Sequence, residues 1–132
     1  MTQEEKQLLL KDLCARLPYG VIVELSDKFK FNKGNRVLVK ELLDLYCIEE
    51  LKPYLRPMSS MTEEEKRDIL QLLNIHGDID NEGNLLLGVE CNIITLKVCK
   101  KYLGELNKRM FDVCHMIEKG LALEAPKDMY KF

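Results

Sequence analysis

A chain of 132 residues, 46% hydrophobic and 32% charged, is long enough to bury a core and too apolar, at a net charge of −2, to stay disordered. Its apolar runs, such as Leu8-Leu9-Leu10 and Leu85-Leu86-Leu87, fall far short of the ~20 residues that cross a bilayer. Thr2-Gln3-Glu4-Glu5-Lys6 has neither the basic region nor the apolar region of a secretory signal, so the expectation is a cytoplasmic chain with no membrane partner.

Thr2 and Glu5 form a capping-box signature, and Leu9, Leu10, Leu13 and Cys14 share a helical face, which predicts a first helix to about Arg16. Pro18 stops it, and Tyr19-Gly20 turns the chain into a β-branched strand, Val21 to Leu25. Lys28-Phe29-Lys30-Phe31 alternates, Asn32-Lys33-Gly34-Asn35 supplies a turn, and Val37-Leu38-Val39 resumes strand character, which predicts a hairpin over 28–40. A short helix is expected from Glu41 to Leu51, then an extended segment between Pro53 and Pro57. Thr62 and Glu65 repeat the capping box ahead of a helix through Ile69, Leu70 and Leu73 that ends near Asn74. The likeness of Met1 through Lys6 to Met61 through Lys66 ends within two turns and does not indicate a duplication.

Residues 76–84 read as a polar loop before a strand at Leu85-Leu86-Leu87, with a second short strand over Ile93 to Leu96. Cys99, Tyr102, Leu103, Leu106 and Met110 then recur at helical spacing. Asp112 suits the N-cap of a last helix, Val113 to Lys119, closed by Gly120 in the left-handed region. Helices and strands without βαβ alternation predict an α+β fold: one small domain over 1–132, helices packed on a short antiparallel sheet, with sub-lobes at 1–57 and 61–132. Leu9, Leu13, Val21, Val23, Leu70, Leu73, Leu86, Leu103 and Leu106 are the expected core.

Three stretches carry a resemblance: Lys11-Asp12-Leu13-Cys14-Ala15-Arg16-Leu17-Pro18-Tyr19-Gly20, Pro53-Tyr54-Leu55-Arg56-Pro57-Met58-Ser59-Ser60-Met61-Thr62-Glu63-Glu64-Glu65, and Ile117-Glu118-Lys119-Gly120-Leu121-Ala122-Leu123-Glu124-Ala125-Pro126. Together they resemble a family of small uncharacterised proteins from gut Bacteroides-type bacteria and their phages or other mobile elements. The resemblance covers about a quarter of the chain and implies kinship, with no activity to carry over. Where members of that family carry paired histidines and a Tyr-Arg-Gly near the C-terminus, this chain has Arg109-Met110 and Val113-Cys114-His115.

Asp78-Ile79-Asp80-Asn81-Glu82-Gly83 has the alternating acids and bend glycine that open a calcium loop, but Val89 stands where the closing carboxylate belongs, so a polar hairpin turn is the reading. Five cysteines, Cys14, Cys47, Cys91, Cys99 and Cys114, lack C-x-x-C spacing and read as reduced thiols, with Cys114 buried. No metal or other cofactor is expected. The charge pattern leaves one further signal: over residues 26–40, Lys28, Lys30, Lys33, Arg36 and Lys40 oppose Asp27 alone. Lys28, Lys30, Lys33 and Arg36 are therefore candidate phosphate contacts for single-stranded nucleic acid, with Phe29 and Phe31 as stacking partners. Alternation sets the two residue types on opposite faces, however, and the pI of 5.8 is not that of a strongly basic binder. The expectation is a non-enzymatic binding or accessory module with a protein partner. Nucleic acid is the alternative partner, and an enzyme assembled from dispersed residues such as His76, His115 and Asp80 is the third reading.

Overall fold

The computed structural model describes residues 1–25, 34–87 and 96–130, in two compact units: Met1–Leu55 with Cys114–Phe132, and Arg56–Val113. The class is α+β, as expected. No helix among the described residues is long and apolar enough to cross a membrane.

The first unit opens with helix α1 (Gln3–Arg16), started by a complete Thr2/Glu5 capping box. Its inward stripe is Leu9, Asp12, Leu13 and Arg16, the i, i+3, i+4, i+7 pattern of one helical face. Leu10 and Cys14, expected on that face, are exposed. A 3₁₀ turn, Leu17–Tyr19, ends in Gly20 at φ 77°, a left-handed conformation that glycine adopts without strain. Strand β1 (Ile22–Leu25) pairs antiparallel with β2 (Gly34–Val37) and with β3 (Leu51–Leu55). β6 (Leu123–Glu124) joins β3 in parallel, giving the order β2-β1-β3-β6. Between β2 and β3 lie α2 (Lys40–Leu45) and a 3₁₀ turn, Ile48–Glu50, so the helix expected over 41–51 ends at Leu45, and Leu51 opens β3 instead.

The sheet alternates as a half-buried sheet should. Val23, Leu25, Leu51, Pro53 and Leu55 are buried, while Glu24 is exposed and Ile22, Lys52 and Tyr54 are half-buried. Pro53 fits inside the ladder because its partner is Val23 and the register there asks for no donor from residue 53. One residue further on, the Tyr130 hydroxyl bridges the strands, accepting from the Ile22 amide at 2.9 Å and donating to the Tyr54 carbonyl at 2.7 Å. Burial pushes this phenol up to about 12. The helix predicted over Val113 to Lys119 is a series of turns instead, because His115 sits at φ 55°, outside the right-handed region. Cys114 there is half-buried.

The second unit holds α3 (Glu63–Leu73), β4 (Gly77–Ile79), β5 (Leu85–Leu87) and α4 (Leu96–Lys108). Met61, Ile69, Leu73, Ile79, Leu106 and Phe111 form its core, with Leu70, Leu85 and Tyr102 at the margin. Of the expected core residues, Leu9, Leu13, Val21, Val23, Leu73 and Leu106 are buried. Leu86 and Leu103 are 51% and 45% exposed, and both are corrections. Two strands make a layer with only one covered side, and Leu86 lies on the other. On α4 the inward line is Tyr102 and Leu106, four apart, which turns Leu103 outward. Residues 93–95 of the strand expected at Ile93 to Leu96 lie outside the described residues, and Leu96 opens α4.

Candidate functional site

Most converging polar side chains hold the fold. The 78–83 segment is the turn of the β4–β5 hairpin: the Asp80 carboxylate accepts from the Glu82 amide at 2.9 Å, the Asn84 amide at 2.8 Å and the Asn84 side chain at 3.1 Å. Those bonds, the Asn84 amide first, hold its pKa below the usual carboxylate value. Gly83, at φ 87°, brings the backbone against Met58, whose Sδ would stand 2.9 Å from a Cβ there. The Tyr102 hydroxyl donates to the Gly83 carbonyl at 2.7 Å, and burial, with Asp80 second, raises it to about 12.

Arg56 closes the base of the second unit. Its backbone bridges to Phe111, its guanidinium lies 4.2 Å from the Phe111 ring centroid, and it donates to both Glu65 oxygens, at 2.9 and 2.6 Å. Arg109 adds a looser contact with Glu65 at 3.8 Å. Burial acts to raise the Glu65 pKa, but the hydrogen bond and charge of Arg56 outweigh it and hold the group below its usual value. In the first unit, Arg16 is fully buried and grips Asp12 through Nε at 2.9 Å and Nη2 at 3.1 Å. Neither cluster was singled out from the sequence. The four-residue spacing of Asp12 and Arg16 was the available signal.

Of the residues read as a dispersed catalytic site, His76 is exposed beside a shallow, open hollow of ≈ 390 Å³ at the end of α3. Asp80 is bound up in its turn, and His115 is exposed in the first unit. Among the described residues no three His, Cys, Asp or Glu side chains gather as a metal site requires.

Of the candidate phosphate contacts, Lys28, Lys30 and Lys33 lie outside the described residues, as do Phe29 and Phe31. Arg36 is exposed at the centre of β2. Opposite Val23 in the register, it projects from the same sheet face as the buried Val23 and Leu25, at a margin where that face opens to water. Among the described residues β2 pairs with β1 alone, and all four of its residues are exposed. Val37 at the end of β2, Val39 just before α2 and Leu45 at the end of α2 are 53%, 45% and 78% exposed.

Compared with known proteins, the chain matches no family model, no curated protein and no solved structure.

Proposed function

We propose that this chain is a non-enzymatic binding module that engages a protein partner at the β2 edge and along α2. The observation that carries the reading is the run Val37, Val39 and Leu45, exposed at 53%, 45% and 78%. Single exposed aliphatics are ordinary, but Val37 at the end of β2, Val39 at the N-cap of α2 and Leu45 at its last residue are three within nine residues, next to a strand edge with no partner among the described residues, and a partner would cover such a surface. The clustered charges elsewhere are absorbed within the fold: Asp12 with Arg16, Arg56 with Glu65, and Asp80 in its turn. An intracellular setting goes with this reading, because Cys14, Cys47 and Cys99 are free and exposed, a state that a reducing compartment preserves. Kinship with the Bacteroides-type and mobile-element proteins rests on the three sequence stretches quoted above.

Panning a displayed peptide library against the purified chain tests the reading. The reading expects enriched peptides that bind the native surface and lose about tenfold or more in affinity to a Val37→Lys/Leu45→Lys variant whose melting is unchanged, since each charge would face an apolar contact. Peptides that bind the variant equally well, or no enrichment at all, would remove the support. A labelled single-stranded DNA binding below about 1 µM near physiological salt, and lost on Arg36→Glu, would put nucleic acid in place of protein.

A further inference from the structure

Among the described residues β2 has no neighbour on its second edge, and the register identifies the groups along it. In an antiparallel pair, residues facing each other alternate between those that exchange backbone hydrogen bonds and those that do not. The Leu38 amide donates to the Val21 carbonyl at 2.7 Å, which continues the Ile22↔Val37, Val23↔Arg36 register by one residue. Leu38, Arg36 and Gly34 therefore turn their backbone groups toward β1. Asn35 and Val37 turn theirs away, so two N–H groups and two carbonyls point outward from the edge that has no strand neighbour among the described residues.

The side chains on that edge select what can pair there. Asn35 and Val37 stand on the outer sheet face, and Arg36 on the other. A second copy of the chain is disfavoured in the antiparallel register that uses all the outward groups of both strands, Asn35 against Val37 of the other molecule, because it sets Arg36 directly opposite itself, and like charges facing each other across strands are destabilising. A charged residue on the inward face of an edge strand is a recognised guard against such pairing. An acid in the facing position would turn the same residue into an anchor. Lys40 is exposed as well, and the sequence over 26–40 carries five bases against Asp27 alone, a balance that favours an anionic partner at longer range.

Resting on the binding-module reading, we infer that β2 takes an extended acidic segment of another protein by strand addition. Its backbone bonds to Asn35 and Val37, a carboxylate meets Arg36, and an apolar side chain meets Val37. The ladder supplies affinity, and the alternation of acid and aliphatic supplies specificity.

The test uses the full chain and labelled peptides alternating glutamate and valine. One is unmodified, one is N-methylated on alternate residues in the frame that removes its donors to β2, and one has the same composition in blocked order. The expected result is saturable binding of the unmodified peptide, about tenfold weaker or worse on Arg36→Glu, with a similar loss for the N-methylated and blocked peptides. Equal binding of the N-methylated peptide, or indifference to Arg36→Glu, overturns strand addition. Failure of all three peptides while panned ligands still need Val37 and Leu45 would refute this mode and leave the binding-module reading standing. Failure of both sets would end both.

Discussion

The two long capped helices begin almost identically and are anchored in opposite ways. Thr2 and Glu5 start α1, Thr62 and Glu65 start α3, and in each the threonine hydroxyl accepts from the glutamate amide while the glutamate turns back to the threonine amide. On α1 the Glu5 carboxylate does this while open to water, and the helix is fixed near its far end by the buried Asp12–Arg16 pair. On α3 the same carboxylate position is partly buried and also holds Arg56. Thus a local motif of four residues sets where a helix starts, whereas the energy it carries depends on what the fold brings to the glutamate.

Removing the anchors in turn would break or sharpen this contrast. The largest effect is expected from Asp12→Ala, which leaves a fully buried guanidinium without its carboxylate, at a cost of about 3–5 kcal/mol. Replacing both residues by apolar ones of similar volume should recover most of it, and urea unfolding of the single and double variants measures the difference. Next comes Glu65→Ala, at about 1–3 kcal/mol, a range set by one charge-assisted bidentate contact and discounted for its partial exposure to water. Glu5→Ala, which removes an open surface cap, should shift the melting temperature least of the three. A larger loss for Glu5→Ala than for Glu65→Ala would mean that the shared motif, and not the fold around it, sets the energy.

Acid should separate the same two ends. The folded-state pKa of Glu65 is lowered from the usual 4.5, so the stability it contributes is present above that value and is lost as pH falls through the lowered one. Melting temperature should therefore fall less steeply below about pH 4.5 in Glu65→Gln than in the native chain, the variant having nothing left to protonate there. Parallel curves would show that the Arg56 contact adds nothing in solution.

The contrast also shows where the sequence was legible. Both helix starts, the β1 strand, the Leu85 to Leu87 strand and the α+β class could be read from caps and periodicity, because those signals are local. The inward face of α1 could not: counting only apolar residues selects Leu10 and Cys14, while the true stripe includes Asp12 and Arg16, whose pairing makes burial tolerable. Leu86 and Leu103 were misplaced because a run of leucines does not say how many sides of its element are covered. β6 is two residues long and, lying far from β3 in sequence, leaves no periodic trace. At the candidate surface, Arg36 was legible as a base but not as a base on the inward face of an edge strand. That follows only from its pairing with Val23.

Amide hydrogen exchange at β2 tests the central claim most directly. In the free protein the Asn35 and Val37 amides should exchange fast, while those of Arg36 and Leu38, turned toward β1, exchange slowly. Saturating acidic alternating peptide should slow Asn35 and Val37 and leave Arg36 and Leu38 as they were. Asn35 and Val37 amides that are already slow in the free chain, or that stay fast when the peptide is bound, would contradict an open edge built to receive a strand.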